Sequence, residues 1–575
     1  MEKFADIPYS RPDLILFKNQ TIQLIEQLAN ASDARMARQA LIEIQEMEKN
    51  VDTMVTIAHV RNTIDTTDTF YDQEMTFLNE NLPKLIPMQI QLLKALLSCP
   101  FRRELEADFG SQLFINAETE LKVQDESIME EKVEEANLRQ AYQKLTAQCT
   151  TLFKNDHVNF YGLLKHMEHQ DRGHRREAFL AWSALYATHA DELDRLYDQL
   201  IAVRVRMAKK LGFDRFTELA YLNRHRTAYG PQDVASFRRQ VLEIVVPACA
   251  KIRADQAERI GVDKLKYFDE SLLFPDGNPE PAGSKDQMVA WAQEMYRALS
   301  PETGKFFDFM TQHELFDLET RPGKRMGGYC TSLSSWKAPF IFANFNGTSA
   351  DVDVLTHEAG HAFAYFTASR EQELSEYCHS TNEINEIHSM SMEHFTYPWM
   401  DKFFGDKAVQ YRYAHLCQSL NVLPYMMCVD EFQHIVYDQP DMTAMERRQV
   451  WRDLERTYMP WRDYDGVEFL EKGGFWMQKQ HIFMYPFYYI DYALAQMGAF
   501  GFYGRMKTNQ ADAWTDYMSL CRAGGSQGYL ELLSLAGLSN PFAEGGVAKA
   551  VSHVIEEVSG SSYRICRSET EGENG

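Results

Sequence analysis

The sequence predicts a mainly α-helical protein with a small β-sheet. Apolar residues recur at three- and four-residue spacing over 20–48 and again over 85–98, which is the periodicity of amphipathic helices. Residues 117–148 are charge-rich and alternate in sign, as on a solvated helix or pair of helices. Strand-like sequence is scarce. Its best example is the aromatic and β-branched run from Phe340 to Phe345, which the turn pair Asn346-Gly347 closes.

The composition and charge limit the possible partners. The chain has 575 residues, of which 45% are apolar and 25% charged, and this excludes a collagenous, low-complexity or disordered protein. Its formal charge is −24. Because a field of this sign repels phosphate groups, we expect no nucleic-acid or anionic-membrane partner, whereas a cationic or neutral ligand is easier to accommodate.

The cysteines and the apolar segments predict a cytoplasmic protein. The nine cysteines are scattered, odd in number and without a CxxC pair, which favours reduced thiols. The first residues lack the apolar segment of a secretory signal, and no apolar run approaches the ~20 residues of a membrane helix. The Pro/Gly-rich stretch 274–284 predicts a loop, and residues 568–575, which contain no apolar side chain, predict a disordered tail.

The motif His357-Glu358-Ala359-Gly360-His361 carries the strongest chemical signal. On a helix, the two histidines would lie within ~40° of each other and almost opposite an apolar stripe. The apolar face would be buried in a core, and the two imidazoles would point away from it. Such a pair supplies two corners of a zinc tetrahedron, and Glu358 is placed to hold a water without binding the metal. The alternative is a pair of structural histidines, but packing alone does not require the intervening glutamate.

A third ligand is predicted 25 residues after His361, at Glu386. Ser380 and Glu383 have the spacing of a capping box, so a helix should begin there, and Pro398 should end or kink it. Glu386 and Glu393 are seven residues apart and would lie within ~20° on one face of that helix. The alternative is a solvated acidic face.

Together these motifs resemble the thimet oligopeptidase and oligoendopeptidase F family of zinc peptidases, and most closely its bacterial oligoendopeptidase and Pz-peptidase-like branch. The resemblance also includes Gly327-Gly-Tyr-Cys330, the segment Pro339 to Thr348, and the segment His481 to Tyr492. It is specific over roughly 325–500 and extends loosely to Gly524-Gly-Ser526. The first ~200 residues match only in being helical.

The resemblance implies an architecture and an activity. Two helical halves would flank a deep channel with one zinc ion on its floor. The domains would be an N-terminal helical domain, 1–200, a catalytic domain, 201–567, and the tail. The expected activity is cleavage of internal bonds in short peptides. Whether the protein is a monomer or a homo-oligomer stays open.

The resemblance also implies roles for further residues. Glu383 and Glu393 would accept hydrogen bonds from the ligand histidines. The residues expected to contact the substrate are Tyr485, Gly327, Gly328, Phe340 and Phe342. The strand from Phe340 to Phe345 would pair with an extended peptide, although an ordinary place in the sheet core is the alternative.

The segment His481 to Tyr492 predicts hydrogen-bond donors. His481, Tyr485, Tyr489 and Tyr492 recur at about one helical turn and would share a face. In the family, the matching histidine and tyrosines stabilise the transition state, so Tyr489, Tyr492 and His481 are expected to donate to an oxyanion. Placing His481 requires a one-residue shift. Aromatic packing in a core is the alternative, above all for Tyr485 and Tyr488.

The expected mechanism is hydrolysis by a zinc-activated water with Glu358 as general base. Three alternatives remain. A carboxypeptidase or dipeptidyl carboxypeptidase needs a positive group for the substrate carboxylate, which the motifs do not identify. A catalytically silent peptide-binding protein would not need Glu358. A cysteine protease would use Cys330 or Cys378, although neither lies in a nucleophile motif.

Overall fold

A computed structural model describes residues 1–560, and these residues are mostly helical, as the sequence predicts. The helices are α1 Leu14–Ala29, α2 Ala34–Ile64, α3 Thr69–Asn81, α4 Ile86–Leu97, α5 Arg102–Phe109, α6 Gln112–Val123, α7 Met129–Gln148, α8 Phe160–His166, α9 Arg172–Lys210, α10 Phe216–Leu222, α11 Pro231–Gln240, α12 Val246–Arg259, α13 Lys285–Leu299, α14 Pro301–Gln312, α15 Ala350–Glu371, α16 Asn382–Phe395, α17 Met400–Phe404, α18 Ala408–Asn421, α19 Leu423–Asp438, α20 Ala444–Tyr458, α21 Glu468–Glu471, α22 Gln480–Met484, α23 Tyr489–Ala523, α24 Tyr529–Leu535 and α25 Gly546–Ser559. The strands are β1 Thr150–Phe153, β2 Asp156–Asn159, β3 Phe316–Glu319, β4 Tyr329–Leu333 and β5 Ala338–Phe345. Within residues 1–560, no helix combines the length and apolarity needed to cross a membrane.

The periodic segments form helices, but one boundary differs from the sequence pattern. The run 20–48 is interrupted because Asp33 caps α2, its side chain accepting from the Met36 N–H. The charged run 117–148 is a pair of helices, α6 and α7. The predicted tail, 568–575, lies outside the described residues.

A three-stranded sheet leads the chain into α15. Its order is β3-β5-β4, with β5 parallel to β3 and antiparallel to β4. After β5, the Asp351 carboxylate accepts from the N–H groups of Asn346 and Gly347 at 2.9 and 2.7 Å, which fixes the turn into the helix. Because β5 is central, both of its edges are paired, whereas β4 is an outer strand.

Two hydrophobic cores support these elements. A smaller core joins α1, α2, α4, α5 and α6, and Leu374 and Tyr377 from the C-terminal part of the chain complete it. The main core runs through the rest of the described chain and includes the helices that frame the sheet. The boundary expected at residue 200 falls inside the continuous helix α9, which packs in the main core.

Candidate metal centre and its cavity

The helices α15 and α16 pack in direct contact at Gly360. A Cβ atom at this position would lie 2.6 Å from the Ser389 Cα and 2.8 Å from the His388 carbonyl oxygen. No real side chain tolerates such distances to backbone atoms. The glycine therefore lets the helix of His357 and His361 approach the helix of Glu386.

We expect Gly360→Ala to destabilise the protein by about 1–3 kcal/mol, which is typical of overpacking. The direction of this change in stability is informative, because replacing glycine by alanine within a helix ordinarily stabilises a protein by about 1 kcal/mol. Denaturant unfolding of both proteins measures the difference. A gain in stability would show that the contact between the two helices is not tight.

Three side chains from the two helices converge. His357 Nε2 lies 3.3 Å from Glu386 Oε2, and His361 Nε2 lies 3.5 Å from the same oxygen. The ligand atoms of a tetrahedral zinc site, at ~2.0–2.1 Å from the ion, are about 3.3 Å apart. Two imidazoles and a carboxylate at this spacing fit one zinc ion with an open position. In the described part of the chain, no other set of three such side chains is close enough to hold a metal.

Glu393 holds the first histidine in place. Its Oε1 lies 2.5 Å from His357 Nδ1, and its Oε2 lies 2.8 Å from His415 Nε2. Burial alone would raise the pKa of Glu393, but the hydrogen bonds with His357 and His415 lower it to about 2. The ionised carboxylate therefore accepts from Nδ1, and Nε2, which faces Glu386, is the ring atom left to bind a metal.

Glu383 does not contact a ligand histidine, so that prediction is wrong. It lies in the first turn of α16, where the Tyr229 hydroxyl donates to its Oε1 at 3.2 Å, and among residues 1–560 its buried Oε2 has no partner. Burial, with the Asp491 carboxylate nearby, raises the pKa of Glu383 to about 7. The expected capping box is also absent, because α16 begins after Thr381 without a side-chain cap.

Glu358 borders a polar cavity of about 370 Å³. Burial raises the pKa of its carboxyl group above the ordinary value. Its Oε1 lies 3.8 Å from the point where a Cβ of Gly328 would stand, so β4 begins close beside it. The cavity is also lined by the three candidate ligands and by residues that include Tyr329, Cys330, Thr331, Tyr488 and Tyr492. A carboxylate with access to a water beside the candidate ligands is placed to act as a base.

The predicted single helix from His481 to Tyr492 is wrong. The chain forms α22, breaks at Tyr485 to Tyr488, where Phe487 has φ +60°, and begins again as α23. Pro486 is the sequence signal for this break, because it disfavours a helical conformation in the residue before it. The break brings Tyr488 to the cavity beside Tyr492, and helical spacing missed this residue.

Tyr488 and Tyr492, two of the tyrosines that line the cavity, are protonated and able to donate. Burial, followed by the negative charge of Glu386, raises the pKa of Tyr488 to about 12 and that of Tyr492 further. Their rings meet edge to face at 5.2 Å. Both hydroxyls therefore keep their protons near neutral pH.

The other residues of this segment lie outside the cavity lining. The Tyr489 hydroxyl lies 3.2 Å from the Lys479 ammonium group. The His481 ring stacks on Tyr488 at 5.7 Å, and burial, with Lys479 and Arg224 nearby, lowers its pKa to about 3. Tyr485 is 41% exposed beneath the Arg139 guanidinium. Direct oxyanion roles for Tyr489 and His481 stay predictions.

The structure contradicts strand addition at β5 and agrees with the alternative, an ordinary place in the sheet core. Phe340 and Phe342 are buried in the sheet core, and the paired edges of β5 leave no place for an added strand. Gly328 lines the cavity, and Gly327 precedes it at φ +102°. The outer strand β4, which contributes Tyr329 to Thr331 to the cavity, offers the unpaired edge instead.

Cys330 and Cys378 also line the cavity, but neither suits a nucleophile. Burial raises the pKa of both thiols. A thiol rather than a thiolate is the prevailing form, and it attacks poorly.

Comparisons with known proteins agree on one family. The model of the peptidase M3 N-terminal domain matches residues 4–124, and that of peptidase family M3 matches residues 305–551, which contain the candidate ligands. The solved structure of PZ peptidase A with an inhibitor is 45% identical, with a TM-score of 0.91, and the match covers 97% of this chain and 99% of that one.

More distant curated relatives bear related names. An oligoendopeptidase F homolog of Borreliella burgdorferi is 27% identical over 220 residues, which are 38% of this chain and 37% of the relative. The oligopeptidase PepF of Bacillus subtilis is 21% identical over 545 residues, which are 88% of this chain and 78% of the relative. The aligned stretch thus spans little more than a third of the first relative.

Proposed function

Because the chain belongs to peptidase family M3, we propose that it is a zinc-dependent endopeptidase that hydrolyses internal bonds of short peptides. The observation that carries this proposal is the convergence of His357, His361 and Glu386 beside Glu358 on the wall of one polar cavity. The eight described cysteines are unpaired, which favours a cytoplasmic enzyme.

The chain's own residues supply the proton transfers and the binding. His357, His361 and Glu386 would hold the metal, which when bound polarises a carbonyl group and lowers the pKa of a water. Glu358 accepts a proton from the attacking water and later delivers it to the leaving nitrogen. Tyr488 and Tyr492 donate to the carbonyl oxygen as it gains negative charge. The unpaired edge of β4 aligns the peptide backbone.

We expect Glu386→Ala to lose zinc, and hydrolysis of a quenched peptide with it. The reason is that Glu386 supplies one of three protein ligands, whereas removal of a solvated glutamate typically changes stability by less than ~0.5 kcal/mol. Metal analysis after dialysis measures the loss. Glu371→Ala, on an exposed position of α15, is the control. Full zinc occupancy in Glu386→Ala would exclude it as a ligand, and turnover that survives chelation would refute zinc dependence.

Access to the site should be limited by size. The metal cavity is the 370 Å³ cavity that the candidate ligands line. It shares His379, Ser380 and Asn382 with a second cavity of about 610 Å³. The opposite wall of this second cavity comes from the N-terminal helices α2, α4 and α6. We propose that this N-terminal part forms one wall of a channel that admits an extended peptide but not a folded domain.

The measurement is a matched pair: a flexible ten-residue peptide, and the same sequence within a loop of a stable protein. The free peptide should be cut and the loop spared. Comparable cleavage of both would refute the channel while leaving the hydrolytic mechanism intact.

A further inference from the structure

A third cavity, of about 420 Å³, concentrates positive charge in an acidic protein. Lys132, Arg139 and Arg224 line it. Within residues 1–560, none of the three forms an ion pair, although the chain carries a net charge of −24. The one carboxylate in the lining, Glu135, already accepts from Arg204 Nε at 2.7 Å.

Arg224 is the most enclosed of the three cations. Its Nε donates to the Pro486 carbonyl at 3.0 Å, and its guanidinium group stacks on the Tyr488 ring at 4.7 Å. Burial lowers its pKa to about 10, which shows that nearby carboxylates do not offset the desolvation of the charge. The remaining guanidinium N–H groups have no protein acceptor in the described structure.

The other two cations extend the same surface. The Arg139 guanidinium lies over the Tyr485 ring at 5.2 Å. Burial lowers the pKa of Lys132, and the Glu120 and Glu135 carboxylates only partly oppose this. Apart from these groups the lining is largely apolar, with Met207, Phe216 and Met484 among its residues. An anion entering this cavity would meet three cations that form no ion pair within residues 1–560, although Glu135 also lines the cavity.

This cavity and the metal cavity both border the 610 Å³ cavity. The third cavity shares Asn223 and Arg224 with the 610 Å³ cavity, which in turn adjoins the metal cavity. Tyr488, on which Arg224 stacks, itself lines the metal cavity. A peptide lying across Tyr488 would therefore pass from the candidate metal to the three cations.

We propose that Lys132, Arg139 and Arg224 bind a carboxylate of the substrate peptide, on the far side of Tyr488 from the metal centre. The carboxylate comes from the peptide's C-terminus or from an aspartate or glutamate side chain. The inference rests on the proposed peptidase function. Guanidinium groups bind carboxylates through charge-assisted hydrogen bonds, and an anion relieves the cost of cations held away from water.

The preference of the three cations for a carboxylate is opposite to the preference of the protein's net negative charge for cationic peptides. The net charge favours cationic peptides during approach, but that effect is screened by salt beyond about 8–10 Å. A direct contact with the three partly buried cations is screened much less. Selectivity for the carboxylate should therefore become clearer, in relative terms, at high salt.

The test uses two pairs of peptides, and the members of each pair differ only in one charged group. One pair ends in a free acid or an amide, and the other, amidated pair carries an internal aspartate or asparagine. We expect kcat/KM to be on the order of tenfold higher for one charged member than for its neutral partner. The pair that differs identifies the source of the carboxylate. Equal rates in both pairs would overturn the inference while leaving the proposed function in place.

Variants tie the effect to the cavity. Arg224→Gln should bring the ratio of the rate for the charged peptide to that for the neutral peptide close to one. The double variant Lys132→Gln/Arg139→Gln should have the same effect. This second variant keeps the contact between Arg224 and Tyr488. The control is Arg206→Gln, since Arg206 is exposed and pairs with Glu134 outside the cavity. An unchanged ratio in both cavity variants would overturn the inference.

A binding measurement separates the two proposals. If no peptide is cleaved, the proposed function fails, but fluorescence anisotropy of labelled peptides still decides the inference. Tighter binding of the charged member, lost in Arg224→Gln, supports the carboxylate site. Equal binding of charged and neutral peptides refutes it.

Discussion

Glu358→Gln should lower kcat by about 10²–10⁴-fold while the protein keeps one zinc ion per chain. Glutamine preserves the size and shape of the side chain but cannot accept a proton at neutral pH. Glu358 borders the metal cavity, whereas the candidate ligand atoms belong to His357, His361 and Glu386. The substitution should therefore remove the base and leave the metal ligands in place. Steady-state hydrolysis and metal analysis of the same preparation give the two quantities.

Glu371→Gln is the matched control. It makes the same chemical change on the same helix, at an exposed position outside the cavity. Its rate should equal that of the parent protein. Near-parental turnover in Glu358→Gln would show that another group accepts the proton, whereas loss of zinc in this variant would show that Glu358 contributes to metal binding.

The sequence predicts the convergence of the three candidate ligands, because most of that geometry is local. His357 and His361 are one turn apart on α15, and Glu386 and Glu393 are two turns apart on α16, so helical rotation alone fixes which side chains share a face. The contact between the two helices is not local. It depends on Gly360, whose Cβ position is filled by the backbone of Ser389.

Features that depend on topology cannot be predicted from local sequence patterns. The run from Phe340 to Phe345 is a strand, but its place in the centre of the sheet, which rules out strand addition, follows from the pairing of β5 with both β3 and β4. The cluster around Tyr488 depends on a backbone break at Phe487 rather than on a helical repeat. The cation cavity joins Lys132 on α7 to Arg224 beyond α10, and no sequence spacing indicates that contact.

Tyr492→Phe should lower kcat by about 10²–10³-fold, the usual cost of losing one oxyanion donor. Tyr492 lines the metal cavity, and its hydroxyl keeps its proton, since burial and the Glu386 charge raise its pKa. Tyr488→Phe should cause a loss of similar kind. Because phenylalanine retains the ring, the packing against His481 and Arg224 persists and KM should change much less than kcat. Hydrolysis rates of both variants, with circular dichroism to check folding, test this.

Tyr489→Phe tests whether the donor role follows the helical spacing of the sequence or the residues that line the cavity in the structure. The spacing of the segment assigns Tyr489 a donor role, whereas its hydroxyl lies beside Lys479 and outside the cavity lining. If the cavity determines catalysis, Tyr489→Phe should retain most of its turnover while Tyr492→Phe loses it. The reverse order would mean that Tyr489 turns toward the scissile bond when peptide binds. Equal, small losses of turnover in all three variants would show that these tyrosines serve packing. In that case no tyrosine donates to the oxyanion.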